Sequence, residues 1–431
     1  MLKDGISVNA CGHLTIGGVD TVALAEEFGT PLYVMDEEKI RAACRLYKAS
    51  FTRCYQDRGL PLYASKAFSC KEIYRIMKEE GMGADTVSGG ELYTALQAGF
   101  PASRIHFHGN NKTADELSYA LSVDVGHIIV DNLTELELLD QTAARLHKQA
   151  DILLRIKPGI DAHTHQFIRT GQIDSKFGFA LETGEAMEAV QAAIKSAHLT
   201  LKGLHCHIGS QILDDQPFEL AAEVMLRFMD QIREKTGVTL GELNLGGGFG
   251  IQYTAEDHPL PYDVYMEKVS AVVHRHCEET NFPLPVVFIE PGRSIVGEAG
   301  VTLYTIGGVK RIPNVRTYVS VDGGMTDNPR YILYQSAYEV LVANKADRPS
   351  NMAATIAGRC CESGDLIQEG VKIQTCVPGD LLAVLGTGAY NYSMASNYNR
   401  LPRPAVVFVR DQRARVVVRR ESYEDLVRND L

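Results

Sequence analysis

Between about residue 60 and residue 292 the chain repeats one pattern of apolar and polar positions. A short apolar run ends in a polar or glycine-rich turn and is followed by a longer segment with apolar residues three and four apart. The short runs predict strands, and the longer segments predict amphipathic helices. The spacing is clear in the segments 90–98, 134–149, 184–197 and 217–235. The eight apolar runs are LPLYAS (61–66), GADTVS (83–88), RIHFHG (104–109), HIIVDN (127–132), ILLRIKP (152–158), LKGLHCHIGS (201–210), LNLGGG (243–248) and PVVFIEPG (285–292).

Eight strand–helix units in succession predict a TIM (β/α)8 barrel, an α/β fold. After about residue 298 the pattern changes to alternating β-type runs with Gly- and Pro-containing turns, which predicts an all-β C-terminal domain, a β-barrel or sandwich. The extended N-terminal runs HLTIGGV and PLYVMD are expected to join it. The predicted domains are therefore a barrel over 36–298 and a β domain over 1–35 and 299–431.

Composition excludes several classes of protein. A chain of 431 residues with 45% apolar content can fill two full cores. The net charge of −11 is spread along the chain without a basic stripe, so nucleic acid is not an expected partner. No apolar run approaches the roughly 20 residues that span a bilayer, and no signal-peptide pattern is evident, so we expect a cytoplasmic protein. The nine cysteines lack CxxC spacing, which argues against a disulfide framework or a zinc knuckle.

In a barrel of this kind the active site lies at the carboxyl ends of the strands. The candidates at those positions are Lys66, Asp85, His108, Asp131, Arg155, His207, Gly246–Gly248 and Glu290. Lys66, in YASKA, is suited to Schiff-base formation if its amine is shielded from water, because burial lowers the pKa of a lysine. Taken alone this is weak evidence, since most lysines that follow a strand are solvated.

The last two runs suggest a phosphate site and an acid. In LNLGGGFG, consecutive glycines let backbone N–H groups close on a phosphate. The run is not a dinucleotide fingerprint, because Ile251 stands where a glycine would be needed. In IEPGR, the carboxylate of Glu290 would pair with a pyridinium nitrogen, or alternatively form a salt bridge with Arg293.

The sixth run ends in HCHIGSQ, which places His205 and His207 on the same face of the strand. Such a pair raises a metal hypothesis. The alternative, which we favour because no third ligand is evident, is that one histidine stacks on a planar ligand and no metal is bound. Ser210 follows as a candidate phosphate hydroxyl. In the β domain, Cys361 and Glu362 stand side by side and would serve proton transfer and amine recognition.

In order and spacing, these motifs resemble the fold-type III decarboxylases that use pyridoxal 5′-phosphate (PLP), the alanine-racemase-like barrel enzymes, and among them the diaminopimelate decarboxylase family. The resemblance covers nearly the whole chain. The motifs that carry it are YASKA, HTHQFIRTGQIDSKFGF, GLHCHIGSQ, LNLGGGFG, IEPGRSIV, VDGGMTDNPRYILY, CCESGD and GAYNYSMASNYN.

The resemblance implies that PLP is the cofactor, held by Lys66 as a Schiff base, with His207 stacked on the ring and Glu290 at the ring nitrogen. Asp85 is a further cofactor-binding candidate. The phosphate would be held by Ser210, Gly246, Gly247, Gly248, Pro291, Gly292, Arg293 and Tyr390.

For the substrate, the resemblance implies meso-2,6-diaminopimelate, converted to L-lysine and CO2 in the last step of lysine biosynthesis. Arg293, Arg330, Tyr334 and Tyr390 would bind it, and Glu362 would take the distal ammonium. Active sites in this family are shared in a homodimer, so Cys361 and Glu362 would act on the partner's cofactor. Cys361 or Lys66 would return the proton to Cα.

Three alternatives stay open from the sequence. A related decarboxylase would act on ornithine, arginine or carboxynorspermidine, although the ornithine-type enzymes usually carry CDG where this chain has CES. A TIM-barrel metallohydrolase would use His205 and His207. A cofactor-binding protein without catalysis would have no evident need of Cys361.

Overall fold

The structure, a computed structural model, describes residues 4–160 and 174–431. The chain divides into two compact units. The barrel unit comprises Ala43–Gly250 and His258–Ser294, and the β unit comprises Met1–Ala42, Ile251–Asp257 and Ile295–Leu431. The first eleven residues of the motif HTHQFIRTGQIDSKFGF lie outside the described residues.

The regular elements of the described residues are numbered in chain order. The strands are β1 (Ile6–Val8), β2 (Leu14–Ile16), β3 (Val19–Asp20), β4 (Leu32–Asp36), β5 (Gly59–Ala64), β6 (Gly83–Thr86), β7 (Ile105–Phe107), β8 (His127–Val130), β9 (Ala150–Lys157), β10 (Phe179–Ala180), β11 (Leu199–Cys206), β12 (Glu242–Asn244), β13 (Val286–Ile289), β14 (Gly300–Ile312), β15 (Arg316–Val321), β16 (Val340–Val342), β17 (Met352–Ala357), β18 (Leu366–Ile373), β19 (Leu381–Leu385), β20 (Ala405–Arg410) and β21 (Arg413–Val418). The helices are α1 (Thr21–Phe28), α2 (Glu37–Tyr55), α3 (Lys71–Glu79), α4 (Gly89–Gln97), α5 (Ala114–Ser122), α6 (Leu133–Leu146), α7 (Glu185–Lys195), α8 (Gln216–Thr236), α9 (Tyr262–Thr280), α10 (Arg293–Val296), α11 (Arg330–Tyr334) and α12 (Tyr423–Val427).

The barrel unit is a closed ring of eight parallel strands in the order β9, β11, β12, β13, β5, β6, β7, β8 and back to β9. The short strand β10 pairs with β9 outside the ring. Strands buried on both faces read as apolar runs, which is why the pattern revealed all eight. The predicted TIM barrel is confirmed. The predicted strands match the observed ones, with ends displaced by a few residues.

Helix starts in the barrel unit follow ordinary capping rules. Ser88 accepts a hydrogen bond from the N–H of Glu91 at the start of α4, and Asn132 accepts one from Glu135 at the start of α6. Thr113 and Glu116 form a reciprocal capping box on α5. Each cap fixes where a strand-end loop gives way to its helix. None of the helices in the described residues has the length and apolarity that crossing a membrane requires.

The β unit contains a sheet in the order β18, β17, β15, β14, β4, β20, β21, with β19 paired to both β14 and β16. Strand β4 lies between β14, to which it is antiparallel, and β20, to which it is parallel. The N-terminal segment therefore joins the C-terminal β domain, as predicted. A buried core that includes Leu32, Val34, Leu303 and Val407 explains this, because β4 completes an otherwise open apolar face.

Two strands of the β unit, β15 and β17, are parallel neighbours, with Ser320 opposite Ala357. Their carboxyl ends therefore meet at the same edge of the sheet, and two loops leave side by side. The Arg330 loop is residues 322–330, and the Cys361 loop is residues 358–365.

Candidate active site

Lys66 lies just past β5, in a single 3-10 turn spanning Ser65–Ala67. Ser65 Oγ donates to Glu91 Oε2 at 2.7 Å, and the same oxygen accepts the N–H of Val87 at 2.8 Å. The turn is thereby tied to the neighbouring strand end. Ser65 and Ala67 are fully buried while Lys66 is exposed, although its charge acts on the buried Asp85. The expectation that the lysine amine is shielded from water is therefore wrong for the single chain.

Glu290, at the end of β13, is a buried carboxylate with three neighbouring donors. Asn244 Nδ2 donates to its Oε1 at 2.7 Å. His108 Nε2 lies 2.8 Å from Oε1, and His205 Nε2 lies 3.1 Å from Oε2. These are its partners among the described residues, so the alternative salt bridge with Arg293 is not formed. Asn244 and His205 form hydrogen bonds and take two of roughly four acceptor positions on the carboxylate, whereas His108 Nε2 lies close without hydrogen-bond alignment.

Electrostatics at this cluster favour an ionised acid beside neutral imidazoles. Burial by itself would raise the pKa of Glu290, but the adjacent His108 and His205 hold it well below its usual range. Burial lowers the pKa of His108 to about 3, and it also lowers the pKa of His205. Glu290 is therefore charged at neutral pH, and it accepts a hydrogen bond from the uncharged ring of His205.

The two histidines of the sixth strand diverge in the structure. His205 is buried and lies against Glu290, whereas His207, just past the end of β11, is partly exposed. The N–H of Gly247 donates to His207 Nδ1 at 3.3 Å, and burial lowers the pKa of His207 well below its usual value. A neutral ring held from one side suits stacking on a planar ligand. Among the described residues, the group with metal-ligand spacing is His108, His205 and Glu290, and His207 is not part of it.

Gly246–Gly248 follow β12, and each approaches neighbouring backbone closely. A Cβ on Gly246 would lie 2.3 Å from the carbonyl oxygen of Cys206, and one on Gly247 would lie 2.0 Å from that of Glu290. The N–H of Gly246 donates to Asn244 Oδ1 at 2.9 Å. Glycine is thus required by strand packing as well as by any phosphate. This close packing brings the glycine run next to Glu290.

Four more predicted phosphate residues, all in the barrel unit, lie at this edge. Arg293 Nη2 donates to Ser210 Oγ at 2.8 Å. The carbonyl of Pro291 accepts the N–H of Ala64, and a Cβ on Gly292 would lie 2.9 Å from Cβ of Ala64. The segment 291–293 is therefore packed against the end of β5, two residues before Lys66.

Asp85, at the end of β6, is fully enclosed. Burial and the nearby Glu290 raise the pKa of Asp85 well above its usual value. Within the described part of the chain, its Oδ1 has no hydrogen-bond partner. A buried, unpartnered carboxyl oxygen at a barrel mouth indicates a place for a ligand donor. By contrast, Asp131 and Arg155 are structural neighbours, since Asp131 Oδ2 accepts the N–H of Gly178 and Arg155 Nε lies 3.9 Å from Asp131 Oδ1.

The predicted residues of the β unit fall into two groups. Arg330 begins α11 and is buried, with its guanidinium carbon 5.0 Å from the ring centre of Tyr334 and 5.4 Å from that of Tyr390. Cys361 and Glu362 are exposed in the Cys361 loop. The structure therefore brings Arg330, Tyr334 and Tyr390 together as one cluster.

Sequence reasoning missed Asn244, and it did not assign partners to His108 and His205. Asn244 is fully buried, and it connects Glu290 to the glycine run through its amide. A polar residue inside an apolar barrel strand was the available signal, because buried amides require partners.

These features define a class of protein: a TIM-barrel enzyme whose strand ends suit an anionic, planar cofactor with a basic ring nitrogen. Such a cofactor requires a site with an ionised acid, a neutral imidazole, an exposed lysine and a glycine turn. Residues 37–297 match the family model described as pyridoxal-dependent decarboxylase, pyridoxal binding domain.

Comparison with known proteins narrows the class. The chain is 51% identical to a diaminopimelate decarboxylase of Bacillus subtilis, over 98% of this chain and 96% of that protein. It is 43% identical to one of Mycobacterium tuberculosis, over 96% and 94%. Among solved structures, diaminopimelate decarboxylase from M. jannaschii in complex with L-lysine is 34% identical with a TM-score of 0.91, covering 100% of this chain and 99% of that one. The chain belongs to the diaminopimelate decarboxylases, within the pyridoxal-dependent decarboxylases.

Proposed function

We propose that this chain decarboxylates meso-2,6-diaminopimelate to L-lysine and CO2, the last step of lysine biosynthesis, with PLP as cofactor. The buried Glu290, ionised, hydrogen-bonded by Asn244 and His205 and close to His108 at the barrel mouth, is the observation that carries the cofactor chemistry. Similarity to diaminopimelate decarboxylases over nearly the whole chain supports the substrate.

In this proposal the barrel unit binds the cofactor. Lys66 would attach it covalently, His207 would stack on its ring, and Glu290 would accept a hydrogen bond from its ring nitrogen. The side chain of Ser210 and the backbone of Gly246–Gly248 and of Pro291–Arg293 would hold its phosphate. Asp85 supplies a further contact through its unpartnered oxygen. Tyr390 of the β unit completes the phosphate site.

The β unit provides most of the residues that bind the substrate. Arg330 and Tyr334, together with Arg293, bind the carboxylate that is not lost, and Tyr390 contributes a contact. Glu362 binds the distal ammonium. Two arginines left without a carboxylate in a closed site would penalise lysine and ornithine, which lack the second acid group. This is the physical basis of the proposed specificity.

When bound, the cofactor supplies an electron sink for the carbanion that loss of CO2 leaves. The task of Glu290 is to keep the ring nitrogen protonated, and its low pKa suits it to pair with a cation. Cys361 or Lys66 then delivers a proton to Cα. We propose that the enzyme is a homodimer in which Cys361 and Glu362 act on the partner's cofactor, which agrees with their exposure in the single chain.

We also propose a cytoplasmic location. All nine cysteines are free thiols, including the exposed Cys11 and Cys361. Free exposed thiols suit a reducing compartment.

The test is CO2 release by the purified protein with PLP on meso-diaminopimelate, L-lysine and L-ornithine in parallel. We expect release from diaminopimelate alone. Borohydride treatment followed by peptide mapping should place the reduced cofactor on Lys66. Lys66→Ala should abolish both signals, whereas Lys71→Ala, at an exposed lysine that begins α3, should change neither. Release from ornithine at a comparable rate would refute the substrate, and absence of any reducible adduct would refute the cofactor assignment.

A further inference from the structure

The Arg330 loop and the Cys361 loop carry the residues assigned above to substrate binding and proton transfer, and one carboxylate joins them. Asp365 Oδ1 accepts the N–H of Met325, in the Arg330 loop, at 2.6 Å. Its Oδ2 accepts the N–H of Cys360, in the Cys361 loop, at 2.7 Å. The side chain is only 3% exposed. A short, buried acid thus bridges two backbone segments with charge-assisted hydrogen bonds.

The surrounding residues leave room for this carboxylate. A Cβ on Gly324 would lie 2.5 Å from Asp365 Oδ2, and a Cβ on Gly358 would lie 2.1 Å from the same oxygen. Each loop therefore has a glycine where any side chain would push the acid out. The backbone supports the same arrangement, since the N–H of Arg359 donates to the carbonyl of Gly323 at 2.9 Å.

The sheet does not extend into either loop. Both begin where parallel strands β15 and β17 end, so sheet hydrogen bonding stops at Ser320 opposite Ala357. Beyond the sheet, the Arg330 loop has a separate contact, because Tyr304 in β14 donates a hydrogen bond to Asp327.

The Asp365 carboxylate joins the two loops together with the bond from Arg359 to Gly323 and a hydrogen bond between Cys360 and Thr326. Loss of the carboxylate would leave a buried N–H at Cys360 and a partly buried N–H at Met325 without an acceptor, which favours separation of the loops.

We propose that Asp365 is a positioning residue that sets the placement of Arg330 and of the Cys361–Glu362 pair together. The inference rests on the proposed function, in which Arg330 acts in its own chain's site while Cys361 and Glu362 act in the partner's. One carboxylate then positions groups that serve two active sites of the dimer.

The test uses Asp365→Asn, because asparagine keeps the size but offers an NH2 where one backbone N–H needs an acceptor. Asp380→Asn is the matched control: Asp380 is equally buried in the β unit and accepts the N–H of Val377 at 2.7 Å, in a different loop. Gly358→Ala is a second variant, since its methyl group displaces the acid without removing it.

Amide hydrogen exchange gives the first readout and needs no activity. With Asp365→Asn and with Gly358→Ala, exchange should rise in both 322–330 and 358–365, while Asp380→Asn leaves both segments unchanged. Faster exchange in one loop alone, or in neither, would overturn the proposal.

Mixed dimers give the second readout. A dimer of one Lys66→Ala chain and one Cys361→Ala chain has a single working site. The Cys361→Ala chain supplies the cofactor lysine and Arg330 of that site, and the Lys66→Ala chain supplies its Cys361 loop. Asp365→Asn should lower kcat/KM for diaminopimelate about tenfold when placed on either chain, as misplaced substrate contacts do. On the Cys361→Ala chain, the loss should appear mainly as a raised KM.

The outcomes separate the two proposals. If Asp365→Asn lowers kcat/KM when it is on one chain of the mixed dimer but not when it is on the other, a joint role for Asp365 is contradicted even if the enzyme works as proposed. If the parent mixed dimer is inactive while the wild-type homodimer is active, the shared-site arrangement fails, and the exchange pattern still decides whether Asp365 holds both loops.

Discussion

Glu290 shows how opposing effects are resolved at a single side chain. Burying an unpaired carboxylate is costly, and its pKa would rise until it became neutral. Here Asn244 and His205 donate hydrogen bonds and the His108 ring lies close by, so the charged form is retained inside the barrel. The Oδ1 of Asp85 lacks such a partner among the described residues, and burial together with Glu290 raises the pKa of Asp85. The two buried acids therefore have pKa values shifted in opposite directions.

Replacing Glu290 with glutamine tests the role of its charge. Glu290→Gln should retain covalently bound cofactor but lower kcat about 100-fold, because the ring nitrogen loses its anionic partner. KM should change much less. Steady-state kinetics and the reducible cofactor signal measure the two effects. Glu135→Gln is the control, since Glu135 is a buried acid paired with Lys112 at 2.6 Å, outside this cluster. Wild-type turnover in Glu290→Gln would remove the electron-sink role.

A second buried acid makes stability depend on pH. Burial raises the pKa of Asp327 to about 7, although hydrogen bonds from Tyr304, Gly324 and Thr326 act against this. The unfolded chain loses this proton near pH 4, so between about pH 4 and pH 7 only the folded state keeps it. The stabilisation from this group is therefore complete below pH 4 and declines by up to about 1.4 kcal/mol per pH unit as the pH rises to 7.

Urea unfolding of the wild type and of Asp327→Asn from pH 5 to pH 8 measures this decline. The free energy of unfolding of the wild type relative to the variant should fall as the pH rises and level off above pH 7. A difference that stays constant over the whole range would show that Asp327 titrates normally.

At the strand ends, sterics and chemistry impose the same residues. The glycine run after β12 passes within contact distance of the backbone that carries His207 and Glu290. Because the strands of a closed barrel converge here, side chains would force adjacent ends apart. The glycine signal in the sequence therefore reports close packing first, and a phosphate cradle only through the proposed function.

Adding one methyl group at this turn tests that view. A Cβ at position 247 would lie 2.0 Å from the carbonyl oxygen of Glu290, so Gly247→Ala should cost more than about 2 kcal/mol of stability and weaken cofactor binding. Gly241→Ala is the control, because a Cβ there meets nothing within 4 Å, and its effect should stay within about 0.5 kcal/mol. Thermal unfolding measures both. Equal melting temperatures for the two variants would contradict the steric argument.

For the chain as a whole, the proposed division of labour explains why two units occur in one polypeptide. The barrel unit holds all the residues assigned to the cofactor except Tyr390, and the β unit holds most of those assigned to the substrate. The proposed homodimer adds the exposed Cys361 and Glu362 of a second chain. Catalysis would then depend on assembly as well as on folding.

Dilution tests this dependence. Specific activity should fall in parallel with the dimer fraction, measured by light scattering at each concentration, because a monomer lacks the partner's Cys361. Saturating PLP throughout is the control against cofactor loss. A monomer that keeps full specific activity would refute the shared site.

Much of this architecture was predictable from the sequence alone. Strands buried on both faces must be continuously apolar, and helices on a barrel must be apolar along one stripe, so eight repeats of that pattern determine the fold class. Lys66, Asp85, His207 and Glu290 were found because a barrel's chemistry lies at its strand ends.

Contacts between residues distant in sequence could not be predicted from local sequence patterns. Asn244 and His205 reach Glu290 across about 46 and 85 positions, and Asp365 reaches Met325 across about 40. Strand order and closure bring such pairs together, and no local pattern encodes them. The exposure of Lys66 was mispredicted for a related reason, because burial depends on what packs around a residue and not on its local pattern. Local periodicity determined the elements, while the partners of each buried charge were decided only when the barrel closed and the sheet of the β unit formed.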